Sequence, residues 1–403
     1  MEKIKICNAR ILTPFRLIDR GYVLMAEGKI EKTGTGEYYT PDYITIDVQG
    51  NYLTPGFIDI HTHGGGGHDF MDATPEAYIG AAAMHAQHGT TSLVPTTLAG
   101  DIGELKLTFE AFRQAKRAGY SGAELLGIHL EGPYFSYEQR GAQDPRYIKN
   151  PERDEYLRIL EWSDDIIRWS AAPELEGAPE FGRELKKRNI LVSVAHSDAI
   201  CEQVIEAYEN GFTHITHMYS SMSGVRRINA YRYAGVIESA FLSDDFTVEI
   251  IADGKHLPGS LLKLIYKIKG PQKTALITDS MRGAGMPEGE TVIGSLKNGQ
   301  RAIIEDGVAK LPDRTAFAGS VATADRLVRT MRDIAEVPLS ETVRMMTATP
   351  AGILGIDSRK GSITVGKDAD LVVFDDEINI LLTVINGKPV YKNIGGELNG
   401  KRI

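Results

Sequence analysis

The chain has 403 residues, of which 42% are hydrophobic and 25% charged, and its net charge is -9. This composition predicts a packed globular protein, and the negative charge argues against broad nucleic-acid binding. The sequence has no apolar run of about 18 residues, so a membrane span is not expected. Two cysteines give no disulfide framework, and the start MEKIKICNARILTPF has no signal-like apolar segment, so we expect a cytoplasmic protein.

The first part of the chain predicts short β-strands. The stretches KIKICNARILT and GYVLMAEGKIEKTG are rich in β-forming residues, with glycine at the breaks. A second β-rich part closes the chain and includes GSITVGKDADLVVFDD and LLTVINGKPVYKN. We therefore expect residues 1–55 and 358–403 to form one small β-sandwich domain together.

The central part, residues 56–357, repeats a short apolar run followed by a helical stretch. The eight runs begin at Gly56, Thr90, Glu124, Ile166, Ile190, Phe212, Thr247 and Lys273. Strands buried on both faces of a parallel sheet have nearly continuous hydrophobicity of this kind. The stretches PEAYIGAAAMHAQHG and GELKLTFEAFRQAKRAG have helical periodicity and end at glycine. The pattern predicts an α/β fold with a (β/α)8 TIM-type barrel.

Ionisable residues stand at the ends of six of the eight predicted strands. They are His61 and His63, Glu131, His196, His217, the run Asp253 to His256, and Asp279. Active sites of such barrels lie at the C-terminal ends of the strands. Because so many polar groups need partners when they are buried, a divalent metal is the simplest explanation. Imidazole nitrogen and carboxylate oxygen suit zinc or iron.

Two sets of ligands can be distinguished. Glu131, His196 and His217 would form a three-ligand site with a position open for water, as a hydrolytic metal needs. His61 and His63 are two residues apart on a strand, so both face one side and could bind a second ion. The four glycines that follow predict a tight turn that lets substrate come close.

The alternative for each histidine is a hydrogen-bonded structural role. We assign that role to three histidines that lie away from the strand ends or one position out of register, namely His85, His88 and His214. We interpret His68 and His129 as structural residues or as supports of the ligands. Arg226 and Arg227 could likewise be an ordinary solvated pair of charges.

Several motifs carry a family resemblance along nearly the whole chain. They are PGFIDIHTHGGGG, HLEGPY, AHSDA, THITHMY, IADGKH, ITDS and AGS, with GSITVGKDADLVVFD near the end. In these motifs the chain resembles the amidohydrolase superfamily, and within it the deacetylases of N-acetyl amino-sugar phosphates. Many members have a carboxylated lysine at the end of strand four. Here IIRWSAAPE offers no lysine, and Glu131 on strand three takes that place, which is typical of the deacetylase branch.

The resemblance implies a role for each site residue. It makes Glu131, His196 and His217 metal ligands, His61 and His63 ligands of a second metal in some members, and Asp279 the general acid and base. It puts substrate contacts at Ala142 and Gln143 for the N-acetyl group, at Ser220, Ser221, His256 and Arg227 for phosphate and substrate, and at Ala316, Phe317 and Ala318 for the sugar. Arg227 would reach the phosphate of a neighbouring subunit, which implies a homodimer.

Two positions depart from the family pattern, and both lie on the substrate side. Gln143 replaces a histidine that helps polarise the acetyl carbonyl, and an amide can donate a hydrogen bond but carries no charge. After strand six the family has HxxNAM, whereas this chain has His217-Met-Tyr-Ser-Ser-Met. The type of reaction is therefore more firmly implied than the substrate.

The resemblance implies metal-dependent hydrolysis of N-acetylglucosamine-6-phosphate to glucosamine-6-phosphate and acetate. One alternative is another N-acetyl hexosamine phosphate, such as the galacto epimer. A second is a different amide or a deaminase substrate of the superfamily, and a third is a non-catalytic scaffold that kept the barrel. The complete set of predicted ligands argues against the third.

Overall fold

The computed structural model describes residues 2–13, 16–394, 397–398 and 401–402. The strands are β1 (Ile4–Leu12), β2 (Leu17–Ala26), β3 (Lys29–Thr35), β4 (Ile44–Asp47), β5 (Tyr52–Pro55), β6 (Phe57–Thr62), β7 (Gly64–Gly65), β8 (His68–Asp69), β9 (Thr90–Pro95), β10 (Glu124–Leu125), β11 (Ile128–Glu131), β12 (Ile166–Ala171), β13 (Leu191–Val194), β14 (Phe212–Ile215), β15 (Arg226–Ile228), β16 (Tyr231–Tyr233), β17 (Thr247–Ile251), β18 (Thr274–Ile277), β19 (Gly289–Ile293), β20 (Gln300–Glu305), β21 (Val308–Lys310), β22 (Leu371–Phe374), β23 (Ile380–Ile385), β24 (Lys388–Lys392), β25 (Glu397–Leu398) and β26 (Lys401–Arg402). The helices are α1 (Pro75–Gln87), α2 (Ile102–Ala118), α3 (Arg153–Trp162), α4 (Ala178–Lys187), α5 (Cys201–Glu209), α6 (Val236–Leu242), α7 (Gly259–Lys269), α8 (Ala324–Asp333), α9 (Leu339–Met345) and α10 (Ala348–Ile353), and a short 3-10 helix spans Phe70–Asp72.

Eight parallel strands form a barrel in the order in which they occur along the chain. They are β6, β9, β11, β12, β13, β14, β17 and β18. The last six pair as one sheet, and β6 pairs with β9. A parallel bridge between Thr96 and His129 joins β9 to β11. The barrel closes where the His63 N–H donates to the Ser280 carbonyl over 2.8 Å. The predicted TIM-type arrangement is confirmed.

The local sequence explains where the first two barrel helices begin and end. The Thr74 hydroxyl accepts from a backbone N–H in the first turn of α1. Asp101 does the same for two N–H groups of α2, and Gly119 ends that helix at a φ of +67°. Such caps satisfy donors and acceptors that a helix end leaves unpaired. Both predicted helices are confirmed, and none of the described helices has the length and apolarity needed to cross a bilayer.

Both ends of the chain contribute strands to one eight-stranded sheet. Its order is β24-β23-β22-β5-β1-β2-β3, and β4 pairs with the first half of β1. Residues 361–370, which the sequence predicts to be β-rich, form no strand, but they attach to the β2–β3 turn through bonds such as Ala369 N–H to Gly28 O over 2.8 Å. The predicted outer limits of this domain, residues 1 and 403, lie outside the described residues.

A three-stranded antiparallel sheet, β19-β20-β21, was not predicted. It lies between β18 and α8, so it belongs to a loop at the C-terminal end of the barrel. Its second turn is Asp306-Gly307, with φ of +54° and +71°. Positive φ at both central residues is typical of a type I′ hairpin, and Asp-Gly is a favoured sequence for it. This dipeptide between alternating residues is the signal that could have indicated the hairpin.

Candidate metal centre and active-site cavity

The barrel strands deliver six ionisable side chains to one end. His61 and Glu131 lie in β6 and β11, and the other four follow β6, β13, β14 and β18 by one or two residues. Three of these four, His196, His217 and Asp279, have φ of +45°, +27° and +46°. Left-handed backbone is uncommon for residues other than glycine and costs about 1–3 kcal/mol. The fold maintains this strain at the positions predicted to carry the chemistry.

Glu131 is the centre of the first group of candidate ligands. Its Oε1 lies 3.0 Å from His217 Nε2 and 3.5 Å from His196 Nε2. One ligand atom from each of the three residues lies within 4.8 Å of the others. The structure therefore brings together Glu131, His196 and His217, as the sequence predicted.

A second group lies beside the first. His61, His63 and Asp279 also each offer a ligand atom within 4.8 Å of the others. The Oδ1 atom of Asp279 is 3.1 Å from His63 Nε2 and 3.3 Å from His61 Nε2. Glu131 borders this group too, because its two oxygens lie 3.4 Å from the Nε2 atoms of His61 and His63. Glu131 thus faces imidazoles of both groups.

The outer nitrogens of two of these imidazoles bond to backbone carbonyls, whereas His217 Nδ1 is buried without a hydrogen-bond partner among the described residues. His196 Nδ1 donates to the Gln139 carbonyl over 2.8 Å, and His63 Nδ1 donates to the Thr96 carbonyl over 3.2 Å. A carbonyl can only accept, so the hydrogen of each neutral ring is on Nδ1 and the Nε2 lone pair faces the carboxylates. Ligating histidines have this arrangement, in which an outer acceptor fixes the tautomer.

The donor set fits a divalent cation. The Nε2 atom of His61 is buried and has no hydrogen-bond partner, although it lies between carboxylate oxygens of Glu131 and Asp279. A lone pair that faces two carboxylates is unfavourable unless a positive charge lies between them. Mixed imidazole and carboxylate ligands suit zinc and other first-row divalent ions.

The electrostatics of the site favour the same conclusion. Burial by itself would raise the pKa of Glu131, but His61 and the hydrogen bonds from the facing imidazoles hold it well below its usual range. Burial also acts to raise the pKa of Asp279, and His61 and His63 lower it on balance. For His63, burial lowers the pKa, yet Asp279 and Glu131 raise it well above its usual value. The centre therefore keeps its carboxylates ionised and attracts positive charge.

A cavity of about 310 Å³ opens above the centre. Seven predicted substrate contacts line it, namely Ala142, Gln143, Ser220, Ser221, His256, Ala316 and Phe317. The structure adds lining residues that the sequence did not reveal, namely Leu98, Gly141, Tyr219, Ile251, Ile293 and Gly319. Four of them lie in loops, whereas Ile251 ends β17 and Ile293 ends β19. None is an ionisable strand-end residue, and for Ile293 the hairpin turn of the β19–β21 sheet was the available signal.

Two predicted contacts lie elsewhere. Ala318 is fully buried and packs with Met281, Ile293 and Ala309 instead of lining the cavity. Arg227 is exposed on the β15–β16 hairpin, opposite Arg232. The described chain therefore leaves both residues outside its own cavity.

Gln143 is held between the centre and the loop after β9. Its Nε2 donates to Glu131 Oε2 over 2.8 Å, and its Oε1 accepts from the Ala99 N–H over 2.9 Å. These bonds fix which end of the amide faces Glu131. One of its two amide N–H bonds is thereby used on Glu131, and the other remains for a ligand in the cavity.

The glycine turn after His63 has a structural role. A Cβ on Gly64 would lie 2.1 Å from the His68 carbonyl oxygen, and one on Gly65 would lie 2.0 Å from Met84 of α1. None of the four glycines is among the described residues that line the cavity. The prediction of a tight turn agrees with the structure, but Gly64 is required by close packing against His68 and Gly65 by close packing against α1, and not by substrate.

Four of the five histidines predicted to be structural or supporting make side-chain hydrogen bonds inside the protein, and His68 packs against Gly80 of α1. His85 contacts the Gly64 carbonyl over 3.0 Å, His88 contacts Asp325 over 3.1 Å and His129 contacts Ser170 over 2.6 Å. His214 bonds through both ring nitrogens, to Thr247 and to Glu249. Glu249 and its partner Arg168 are buried charged residues that the sequence prediction did not consider.

Known proteins agree with the architecture. Residues 52–390 match the amidohydrolase family. An N-acetylglucosamine-6-phosphate deacetylase from Bacillus subtilis is 35% identical, with 96% of each chain covered. An N-acetylgalactosamine-6-phosphate deacetylase from Escherichia coli O157:H7 is 32% identical over 83% of this chain and 87% of that protein. The crystal structure of an N-acetylglucosamine-6-phosphate deacetylase from Pasteurella multocida superposes with a TM-score of 0.89 at 29% identity, covering 96% of this chain and 99% of the other. The chain belongs to the amidohydrolase family.

Proposed function

We propose that this chain hydrolyses the N-acetyl group of N-acetylglucosamine-6-phosphate to give glucosamine-6-phosphate and acetate in amino-sugar catabolism. The observation that carries the proposal is the cluster of Glu131, His196, His217 and Asp279 at the base of one cavity. The curated relative from Bacillus subtilis, which is similar along 96% of the chain, supports the substrate.

We propose that Glu131, His196 and His217 hold one divalent cation, zinc or iron, and that His61 and His63 hold a second beside it. The preset tautomers and the buried lone pair of His61 Nε2 support this assignment. A cation bound here supplies Lewis acidity, which lowers the pKa of water toward ~7 and polarises a carbonyl.

Asp279 is the proposed general base and acid. Its carboxylate is kept ionised and faces the cavity, so it can accept a proton from water at one oxygen. The water oxygen then bonds to the acetyl carbon, and the C–N bond breaks as Asp279 returns the proton to the leaving amine. Water and amide are thus converted into acetic acid and amine, which become acetate and ammonium when the acid transfers its proton to the amine, with no further reactant.

The substrate would lie across the cavity with its acetyl group at Ala142 and Gln143. The unused N–H of the Gln143 amide is available to the acetyl oxygen. One such donor lowers the reaction barrier by about 2.7–4 kcal/mol. Ser220, Ser221 and His256 are the proposed contacts to phosphate and substrate. Ala316, Phe317 and Ala318 are the proposed sugar-side segment, with Ala318 acting through packing because its side chain is buried.

We propose a homodimer in which Arg227 completes the phosphate site of the partner subunit. Its exposure on the β15–β16 hairpin, outside the cavity of its own chain, is compatible with a role in trans. The same segment exposes Val225 and Tyr231, which are 60% and 74% exposed. Arginine suits phosphate because its planar fork bonds two oxygens at once.

A second candidate substrate is N-acetylgalactosamine-6-phosphate. The relative from Escherichia coli O157:H7 favours it, since that protein is named for this epimer and is nearly as similar. The two sugars differ at one hydroxyl, so the residues that contact the sugar decide between them.

The test is acetate release from three compounds, with and without a chelator. We expect N-acetylglucosamine-6-phosphate to give a higher kcat/KM than both its galacto epimer and unphosphorylated N-acetylglucosamine. Chelation should abolish the activity, and zinc or iron should restore it. Equal kcat/KM for the phosphorylated and plain sugars would contradict the phosphate site, and activity that survives complete removal of metal would contradict the centre.

We also propose that residues 1–55 and 358–403 form a separate β-sandwich domain beside a hydrolase barrel of residues 56–357. Support comes from a shared core in which Ile6 and Val23 pack with Leu371 and Val384. Attachment of residues 366–369 to the β2–β3 turn brings opposite ends of the sheet together. Location in the cytoplasm and lack of nucleic-acid binding stay predictions.

A further inference from the structure

A buried pair of opposite charges lies inside the barrel below the candidate centre. Arg168 on β12 and Glu249 on β17 are both fully buried. The guanidinium donates to both oxygens of Glu249, over 2.6 and 2.9 Å. This two-point bond is the strongest geometry for the pair and holds the carboxylate in one orientation.

Glu249 connects this pair to the ligands above it. Its Oε1 lies 2.7 Å from His61 Nδ1 and also accepts from the His217 backbone N–H over 3.3 Å. Arg168 donates to the carbonyl of Ile60, the residue before His61, over 3.1 Å. The pair therefore contacts His61 through both its side chain and the adjoining backbone.

The contact fixes the tautomer of His61. A carboxylate bound by a guanidinium is an acceptor only, so the hydrogen of the neutral His61 ring is on Nδ1. The Nε2 lone pair then faces Asp279 and Glu131, and Nε2 has no hydrogen-bond partner. Without the acceptor, the hydrogen could move to Nε2, where the two carboxylates would bind it and exclude a cation.

We propose that Glu249, clamped by Arg168, is the positioning residue that prepares His61 to bind the second cation. The inference rests on the proposed cation centre and adds two residues that touch neither substrate nor cation. Arginine suits the task better than lysine because its fork bonds both oxygens of Glu249 and still reaches three further acceptors, namely Ile60, Ser193 and Thr216.

The test is direct cation binding by apo protein, titrated with Zn²⁺ and with Co²⁺ in competition with a chelator. In Glu249→Gln, an amide N–H can face His61 Nδ1 and favour the wrong tautomer. We expect the affinity for the second ion to fall about 10- to 100-fold, the usual effect of losing such an outer partner. Affinity for the ion held by Glu131, His196 and His217 should change much less. His61→Asn provides the reference for loss of the second ion.

Two further variants separate positioning from stability. Arg168→Met/Glu249→Gln removes both charges together, so it avoids leaving Arg168 buried without its partner, and it should also lose the second ion. Ser193→Ala is the matched control, because Ser193 accepts from Arg168 Nε over 3.0 Å in the same buried layer. It should keep both affinities within about 3-fold, well below the loss expected of an outer partner. Circular dichroism and thermal unfolding establish that each variant is folded.

Folded Glu249→Gln or the double variant with both wild-type affinities would overturn the inference and leave the proposed function intact. Wild-type protein that binds a single ion would also overturn it, and acetate release by that one-ion enzyme would keep the deacetylase proposal. Loss of acetate release with both ions bound would contradict the proposed function alone.

Discussion

Two clusters of acidic groups look alike by distance and differ in what neutralises them. At the mouth of the barrel, the described residues in contact with Glu131 are imidazoles and a glutamine amide. In the other cluster, Glu124, Asp368 and Asp370 lie equally close together. There Lys360, whose side chain is 1% exposed, contacts all three carboxylates. Proximity of acids therefore does not define a cation site, because a permanent side-chain cation can already occupy it.

The two clusters also have different roles in the molecule. Glu124 lies in β10 of the barrel region, whereas Asp368 and Asp370 precede β22 of the terminal sheet. Arg359 adds bonds of 3.0 Å to Glu124 and 2.9 Å to Asp368. This lysine-filled cluster, made of the three acids with Lys360 and Arg359, joins two parts of the fold. The imidazole-lined cluster, made of Glu131, Asp279 and the histidines around them, has no lysine or arginine in contact with its carboxylates among the described residues, so a metal can take that position.

The largest expected effect comes from Asp279→Asn at the imidazole-lined cluster. The amide cannot accept and return a proton, and positioned acid–base groups contribute about 10²–10⁴-fold. We expect kcat for acetate release to fall by that factor, while the ion held by Glu131, His196 and His217 remains. Steady-state kinetics and elemental analysis of the same sample measure both. Near-normal kcat would show that another group carries the proton.

Lys360→Met tests the lysine-filled cluster. It leaves buried carboxylates without their main cation, and breaking such a pair costs about 3–5 kcal/mol. We expect that loss in the free energy of unfolding by urea denaturation, with unchanged metal content in the folded protein. The control Lys263→Met removes an exposed pair with Glu336, which contributes about 0–1 kcal/mol. A variant as stable as the wild type, or one that loses metal, would remove the distinction between the clusters.

Gln143→Leu tests the uncharged member of the imidazole-lined cluster. Leucine has a similar size but no amide N–H, and loss of one donor to a developing oxyanion lowers kcat about 10²- to 10³-fold. We expect this decrease at saturating metal. If added metal restores the rate, the amide acts by holding Glu131 and not by contacting the acetyl oxygen. Gln143→His, which introduces the family residue, is the matched comparison.

The smallest effect concerns Asp325, which has both a histidine and an arginine as partners. Burial acts to raise its pKa, but His88, Arg329 and Thr323 lower it to about 2. The folded pKa lies below the ordinary 3.8, so the ionised carboxylate stabilises the fold fully above pH 3.8. This stabilisation is lost as the pH falls toward 2. Asp325→Asn should lose about 2 kcal/mol at neutral pH and show a smaller loss of stability in acid. Urea denaturation at pH 7 and pH 3 measures this.

The control for that experiment is Asp376→Asn. Asp376 is 71% exposed and pairs with Arg10 at the surface. Exposed pairs contribute little, so its stability should match the wild type at both pH values. Equal behaviour of the two variants would show that the partners of Asp325 do not matter.

The sequence could group the candidate ligands because barrel strands end at a common rim. Continuous apolar runs identified the eight strands, and the residues at their ends then had to meet, so His61, Glu131 and Asp279 could be grouped before their distances were known. The cavity wall was less accessible, since residues such as Tyr219 and Ile251 have no pattern that distinguishes them from ordinary loop and strand residues.

Arg168 and Glu249 illustrate the boundary between what the sequence predicts and what it does not. A charged residue inside an apolar strand was visible in IIRWSAAPE and in TVEIIADGKH, and burial requires a partner for each. Their separation of 81 residues hides which partner that is, because only closure of the barrel sets both on the same level.

By itself, the sequence determined the eight βα units, the residues at their ends and the family, because hydrophobic period and local motifs are properties of neighbouring residues. Only the tertiary structure decided which acids already have a cation, which lone pairs are exposed to the centre and where backbone strain is held. Those features depend on distances and burial between distant segments, and local sequence does not set them.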